Sequence, residues 1–254
     1  MSTMSTATSY LLEIATTDYE TTRLAVQGGA HRIELCASLS EGGVTPSYGT
    51  IRRCRESFSV ALYPIIRPRG GDFLYNDQEF EIMKQDVLLC KSLQCEGVVI
   101  GLLCADGQID LKRTAALIAL AYPMGVTFHR AFDRCIDPSK ALEQLIDIGC
   151  ERILTSGQQP TAPEGVDLIA RLQQQADDRI VIMPGSGVRP DNVIDLAKRT
   201  GCIEFHSSLR ASVKSNMQFV HPAFANSAES YQNPAIDPKK VGQFIEALAS
   251  LSKA

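Results

Sequence analysis

Eight short runs rich in apolar and β-branched residues punctuate the chain, and their spacing constrains the fold more than any other feature. They begin near residues 11, 32, 60, 97, 125, 152, 180 and 203. They read LLEIAT, RIELCAS, VALYPIIRP, GVVIGLL, GVTFHRAF, RILTSG, IVIMPGSG and IEFHSSL. Helical patterns lie between them. In DPSKALEQLIDIG, Asp137 suits the N-cap, Pro138 the first helical position and Gly149 the stop. RPDNVIDLAKRTG has similar punctuation, with Asp191 as the expected cap and Gly201 at the end. Strand–helix alternation repeated eight times predicts a TIM-type (β/α)8 barrel, a fold of about 250 residues. The chain has 254. An open doubly wound sheet is the alternative, but no G-x-G-x-x-G follows the first run. Residues 10–254 read as one domain, with 1–9 as a disordered lead-in. The stretch 211–235 reads as a long irregular excursion before a final helix at roughly 237–251.

Composition narrows the function classes. A net charge of −4 without a basic stripe gives no footprint for nucleic acid. No apolar run approaches the roughly 20 residues that span a bilayer. The N-terminus MSTMSTATS has neither a basic residue nor an apolar core, so no export signal is read and a cytoplasmic location is expected. Eight cysteines in such a chain do not require a disulfide framework, and the absence of any C-x-x-C removes zinc-finger and thioredoxin-type readings.

Alternation along the strands predicts what enters the lumen. Outer faces of barrel strands meet helices and are apolar. Leu12 and Ile14 therefore point out, leaving Glu13 and Ala15 inside. The same rule sends Glu34 and Cys36, Thr127 and His129, and Glu204 and His206 inward, with Arg67 inside or at the rim. Barrel interiors are filled by Val, Ile and Leu, and an unpaired charge there costs several kcal/mol. Glu13, Glu34, Arg67, His129, Glu204 and His206 are thus expected to converge on a polar site at the mouth formed by the strand C-termini. Each alone reads more readily as a satisfied structural group, and it is their convergence that points to a site. Arg130 and Asp133 flank the site, Asp133 as a further acid–base candidate; pairing of Arg130 with Asp133 or with a helix C-terminus is an equal reading.

Glycine-rich stretches close several strands. LTSGQ offers Thr155, Ser156 and Gly157; MPGSGV offers Gly185, Ser186 and Gly187; HSS offers Ser207. Such loops near helix N-termini bind anions, and barrels hold phosphate after strands seven and eight. Tight turns alone would also need these glycines. RPRGGDF adds Arg67 and Arg69 after strand three, as an anion clamp or as a turn in which Asp72 pairs with an arginine.

RIELCASLSEGGVTPSYG, IIRPRGGDFLYND, VTFHRAFD, RILTSGQQ and EFHSS resemble the signature segments of the CutC family, and the resemblance runs from about Leu11 to Leu209. It implies a TIM-type barrel in a cytosolic homo-oligomer, the dimer favoured, associated with copper homeostasis and with Cu(I) binding. Some members pair a cysteine on the first strand with one on the second. Here the second is Cys36, the implied metal ligand, but the first-strand position is Ala15. Cu(I) favours thiolate and thioether ligands, so half of that pair is missing.

Three functions stay open. One is copper handling through Cys36. Another is an enzyme acting on a small anionic or phosphorylated metabolite, with Glu13, Glu34, His129, His206 and Asp133 as an acid–base set or as ligands for a divalent metal. The third is a non-catalytic oligomeric scaffold whose subunits meet through 211–235.

Overall fold

The structure is a computed structural model that describes residues 9–224 and 231–251. The lead-in expected over 1–9 lies outside the described residues except for its last position. Eight parallel strands alternate with helices from Leu11 onward. The strands are β1 (Leu11–Thr16), β2 (Arg32–Leu35), β3 (Ala61–Pro64), β4 (Gly97–Ile100), β5 (Gly125–Phe128), β6 (Arg152–Thr155), β7 (Val181–Pro184) and β8 (Glu204–Ser207). The intervening helices are α1 (Tyr19–Gln27), α2 (Tyr48–Ser57), α3 (Asp77–Ser92), α4 (Leu111–Ala121), α5 (Pro138–Asp147), α6 (Val166–Ala176) and α7 (Val193–Thr200).

Hydrogen bonding groups the strands as β3-β2-β1-β8 and β4-β5-β6-β7. A parallel bridge between Ile65 and Val99 joins β3 to β4. At the other seam β7 and β8 stand side by side: a Cβ on Gly185 would lie 3.3 Å from His206 Cβ. The result is the TIM-type α/β architecture.

Local chemistry starts the helices. Asp18 and Thr21 form a capping box before α1, as Asn76 and Glu79 do before α3. Asp137 accepts from the Lys140 N–H and Pro138 opens α5, as its sequence predicts. Asp191 does not cap α7. Asn192 holds the N-cap position, and its side chain accepts from the Arg189 N–H to close the preceding turn. Gly201 ends α7 with φ 74°.

Two apolar clusters follow from strand parity. The larger lies between strands and helices and includes Leu12, Ile33, Val98, Phe128 and Phe205. The smaller lies in the lumen and is only Cys36, Tyr63, Ile65 and Val99. Ala15, Leu154 and Met183 are also buried on inward positions, beside the charged groups. Tyr63 fills the lumen from β3 because Gly97 and Gly125 carry no side chain; a Cβ on Gly97 would sit 2.0 Å from the Tyr63 ring.

The described parts of 211–235 hold more regular structure than the sequence suggests. An antiparallel ribbon, β9 (Arg210–Lys214) paired with β10 (Gln232–Ile236), flanks the stretch, and α8 (Pro238–Leu251) follows. The Ser, Asn and Pro content hid this pairing, which depends on partners some twenty residues apart.

Candidate active site

The lumen charges divide into two storeys. At the lower end, Arg32 donates to Glu13 at 2.5 Å and to Glu204 at 2.6 Å, and Arg152 donates to Glu204 at 2.6 Å and to Thr127 at 3.1 Å. Burial opposes ionisation of Glu13, but the Arg32 guanidinium, the His206 hydrogen bond and charge, and Arg152 together hold its carboxyl well below the usual range. Glu204 is lowered against burial by Arg152 and Arg32 in the same way. Both arginines are raised: burial lowers them, but their carboxylates outweigh it. Every charge on this storey has a partner, which is the condition for tolerating buried ions.

Above it stands His206. Its Nδ1–H donates to Glu13 Oε1 at 2.8 Å, and its Nε2 lies 3.7 Å from Glu34 Oε2. Burial lowers the His206 imidazole, yet the Glu13 hydrogen bond and the charges of Glu34 and Glu13 raise it overall. Glu34 moves the other way from Glu13. Burial raises its carboxyl, and the attraction of His206 is partly offset by the repulsion of Glu13, so it ends above the usual carboxylate range. Two carboxyls on one imidazole thus differ in proton affinity, one anionic and one poised to exchange a proton.

Glu34 and His206 form the floor of a cleft of about 1290 Å³ at the C-terminal ends of the strands. Its walls include Arg67, Phe73, His129, Ser186, Ser207 and Arg210. Arg67 is buried, and its terminal nitrogens donate to the carbonyls of Glu41, Gly43 and Gly71. No carboxylate pairs with it among the described residues. His129 Nδ1 accepts the Ala131 N–H at 3.0 Å. Burial and the nearby Arg67 charge push its imidazole down to about 3. His129 is therefore neutral at ordinary pH and acts as a donor rather than an acid.

Of the residues expected in the site, the cleft brings together Glu34, His129, His206, Arg67, Ser186, Gly187 and Ser207. It does not include Glu13, which is sealed beneath His206, nor Glu204, which belongs to the lower storey. Asp133 is turned away. It accepts from Thr155 Oγ1 at 2.5 Å, the N–H groups of Ser156 and Gln158, and Arg130 Nε at 2.8 Å. That arrangement ties the turn after β6, so Thr155, Ser156 and Gly157 serve the turn and do not line the cleft. Parity placed Asp133 near the mouth but could not give the direction of a side chain in a loop. Arg69 pairs with Glu79 and Asp72. Gly185 packs behind the wall, where a Cβ would meet Leu154 at 2.4 Å.

Sequence reasoning missed Arg32 and Arg152. The signal was present: each shares the parity of an inward residue two positions later, Glu34 and Leu154. It also missed Phe73, Arg210 and Lys240 on the cleft wall, which lie on a loop, on β9 and on α8, outside the eight barrel strands whose parity was read.

The residues present do not complete the implied Cu(I) pair. Cys36 is fully buried, and burial with the Glu34 charge raises its thiol well above the ordinary value. Ala15 faces the cleft where a second thiol would stand. Among the described residues no group of three or more His, Cys, Asp or Glu side chains is arranged to hold a metal. Nor is any described helix long and apolar enough to cross a membrane.

Residues 10–211 match the CutC family. A CutC family protein from Chromobacterium violaceum is 49% identical over 241 residues, covering 94% of this chain and 98% of the relative. One from Vibrio vulnificus is 50% identical over 214 residues, covering 84% and 86%. A solved CutC structure from Streptococcus agalactiae, named for copper homeostasis, is 33% identical with a TM-score of 0.74 and covers 78% of this chain and 98% of that one. Phosphoribosyl anthranilate isomerase from Thermotoga maritima, at 13% identity and TM-score 0.59 over 95% and 99% of the chains, shares the fold.

Proposed function

The chain belongs to the CutC family, and from that premise we propose that its part in copper homeostasis is enzymatic. In this reading it carries out proton transfer on a small anionic metabolite and does not carry copper on a thiolate. The observation that carries the reading is His206 held between Glu13 and Glu34, with Glu34 on the cleft floor.

Glu34 removes a proton from carbon next to a carbonyl. The C–H bond breaks, its electron pair passes into the enolate, and the proton resides on the Glu34 carboxyl until it is returned. A base must hold its proton affinity near the working pH, and burial raises Glu34 toward that condition. His206, whose proton affinity the Glu13 hydrogen bond and the Glu34 and Glu13 charges raise, steadies the Glu34 carboxylate before transfer. Arg67, a buried cation without a carboxylate partner among the described residues, supplies attraction for the substrate anion and for the developing enolate. All eight thiols are free, in keeping with a reducing cytoplasm, and a homo-oligomer, most simply a dimer, is the proposed assembly.

The test is solvent exchange. The protein is incubated in D2O with small 2-oxo acids and ketose phosphates, and loss of the α-proton signal is followed by NMR. Exchange above the buffer rate is expected in one class, falling about 10²–10⁴-fold in Glu34→Gln. No exchange in either class overturns the reading. Cys36→Ser is expected to leave Cu(I) affinity of the reduced protein unchanged in a competing-chelator titration. A tenfold loss there would return the thiolate carrier.

A further inference from the structure

Among the described residues, four buried side-chain polar atoms have no hydrogen-bond partner: Arg67 Nε, Tyr75 Oη, Thr114 Oγ1 and His129 Nε2. Native structures leave few such atoms, and each calls for an explanation. Two of the four belong to the cleft wall and flank a single ring. The Arg67 guanidinium lies 5.1 Å from the Phe73 centroid, and the His129 ring lies 4.9 Å from it. Phe73 itself is half-buried, lines the cleft and follows the exposed Gly71–Asp72 step.

The state of each donor is fixed by its other bonds. His129 Nδ1 accepts the Ala131 N–H, so the ring proton sits on Nε2. The Nδ1–Cε1 edge of the ring lies against Gly101, where a Cβ would come within 2.2 Å of Cε1, so Nδ1 has no freedom to exchange roles. Arg67 spends its terminal nitrogens on three backbone carbonyls, its guanidinium also acts on the Tyr75 hydroxyl, and its Nε has no hydrogen-bond acceptor. The pair therefore offers two N–H donors and one uncompensated positive charge.

We propose that Arg67 Nε and His129 Nε2 form a carboxylate-binding subsite, covered by Phe73, that takes the carboxylate end of a small 2-oxo or 2-hydroxy acid. The inference rests on the reading of the cleft as an anion site and narrows its substrate class. Two donors match the two oxygens of a planar carboxylate. A phosphate brings a third oxygen and a charge of up to −2, for which this subsite has no further donor. Because His129 stays neutral down to about pH 3, the subsite keeps the same donor throughout the physiological range. Phe73 must swing aside on binding, exchanging its ring contacts for a buried ion pair closed to water.

Oxalate, a planar mimic of a 2-oxo acid enolate, serves as the probe, with inorganic phosphate as the comparison. The full-length protein, labelled with 15N-histidine, is titrated while the His129 imidazole signals and the heat of binding are followed. Oxalate is expected to move the His129 Nε2 signal and to bind at least ten times more weakly to His129→Leu. His129→Gln, which restores an N–H donor, is expected to recover most of that loss. Phe73→Ala is expected to bind oxalate at least as tightly as the unaltered chain. Oxalate that binds without moving the His129 signal overturns the subsite and leaves the proton-transfer reading standing. Phosphate moving that signal as strongly overturns the carboxylate assignment, and no oxalate binding at all overturns the subsite. Oxalate binding with no solvent exchange removes proton transfer alone. The signal shift in the unaltered chain decides the matter if a variant fails to fold.

Discussion

The two storeys of the lumen use the same residue types to opposite ends. Below, Arg32, Arg152, Glu13 and Glu204 satisfy one another in a closed network. Above, among the described residues, Arg67 has no carboxylate and His129 Nε2 has no acceptor, and Glu34 holds its carboxyl above the ordinary range. The lower storey is what a barrel does with charges it must bury. The upper one retains charges that a ligand can complete. Glu13 joins the two, since its one carboxylate answers Arg32 from beneath and His206 from above.

Breaking the lower storey is expected to have the largest effect. Arg32→Met leaves Glu13 without its guanidinium and Glu204 with only Arg152, and costs about 3–5 kcal/mol by urea unfolding. A loss under 1 kcal/mol would mean that the network is not what holds these charges. Acid titration separates the storeys next. For His129, with a folded value of about 3 and an ordinary value of 6.5, the unfolded chain binds the proton first. Its contribution to stability is therefore full above pH 6.5 and is lost as pH falls toward 3, by up to about 1.4 kcal/mol per pH unit. His129→Gln is expected to flatten the slope between pH 6.5 and 5. His206 has the opposite sign: its folded value is raised, so its contribution is present below pH 6.5 and disappears as pH rises through the folded value. A chain whose stability is level on both sides of pH 6.5, measured by urea midpoints, contradicts both assignments.

Smaller effects sharpen the contrast. Glu34→Gln replaces a carboxyl that burial already disfavours as an anion, and is expected to change stability by less than about 1 kcal/mol while removing activity. Stability loss equal to that of Arg32→Met would make Glu34 a structural group. Smallest of all, the surface pair Arg179–Glu143 lies in water, where such pairs contribute little. Glu143→Ala is expected to leave the melting temperature within experimental error.

Much of the frame is legible in the residues. Leu12 with Ile14, and Val126 with Phe128, announce outer faces and so assign Glu13, Thr127 and His129 to the lumen, where they are found. Asp137 and Pro138 mark a helix start because the capping chemistry is local. The ribbon of β9 and β10 was not legible: its pairing joins residues on either side of an unpromising Ser- and Asn-rich stretch. Asp133 reads as an acid beside the mouth, yet it anchors the turn after β6 through five donors. That use depends on where Thr155 and Ser156 arrive from another strand.

The sequence by itself determined the alternation of strands and helices and the side of each strand that its charges occupy, because period and parity are properties of neighbouring residues. Only the tertiary structure decided which charges meet. Height along the barrel depends on how strands are staggered, and that stagger set Arg32 and His206 on either side of Glu13, with Glu204 one inward position lower and in reach of the Arg32 guanidinium, while leaving Glu34, Arg67 and His129 open to the cleft. Pairing distance, burial and the resulting proton affinities follow from that level, and none is encoded within a single strand.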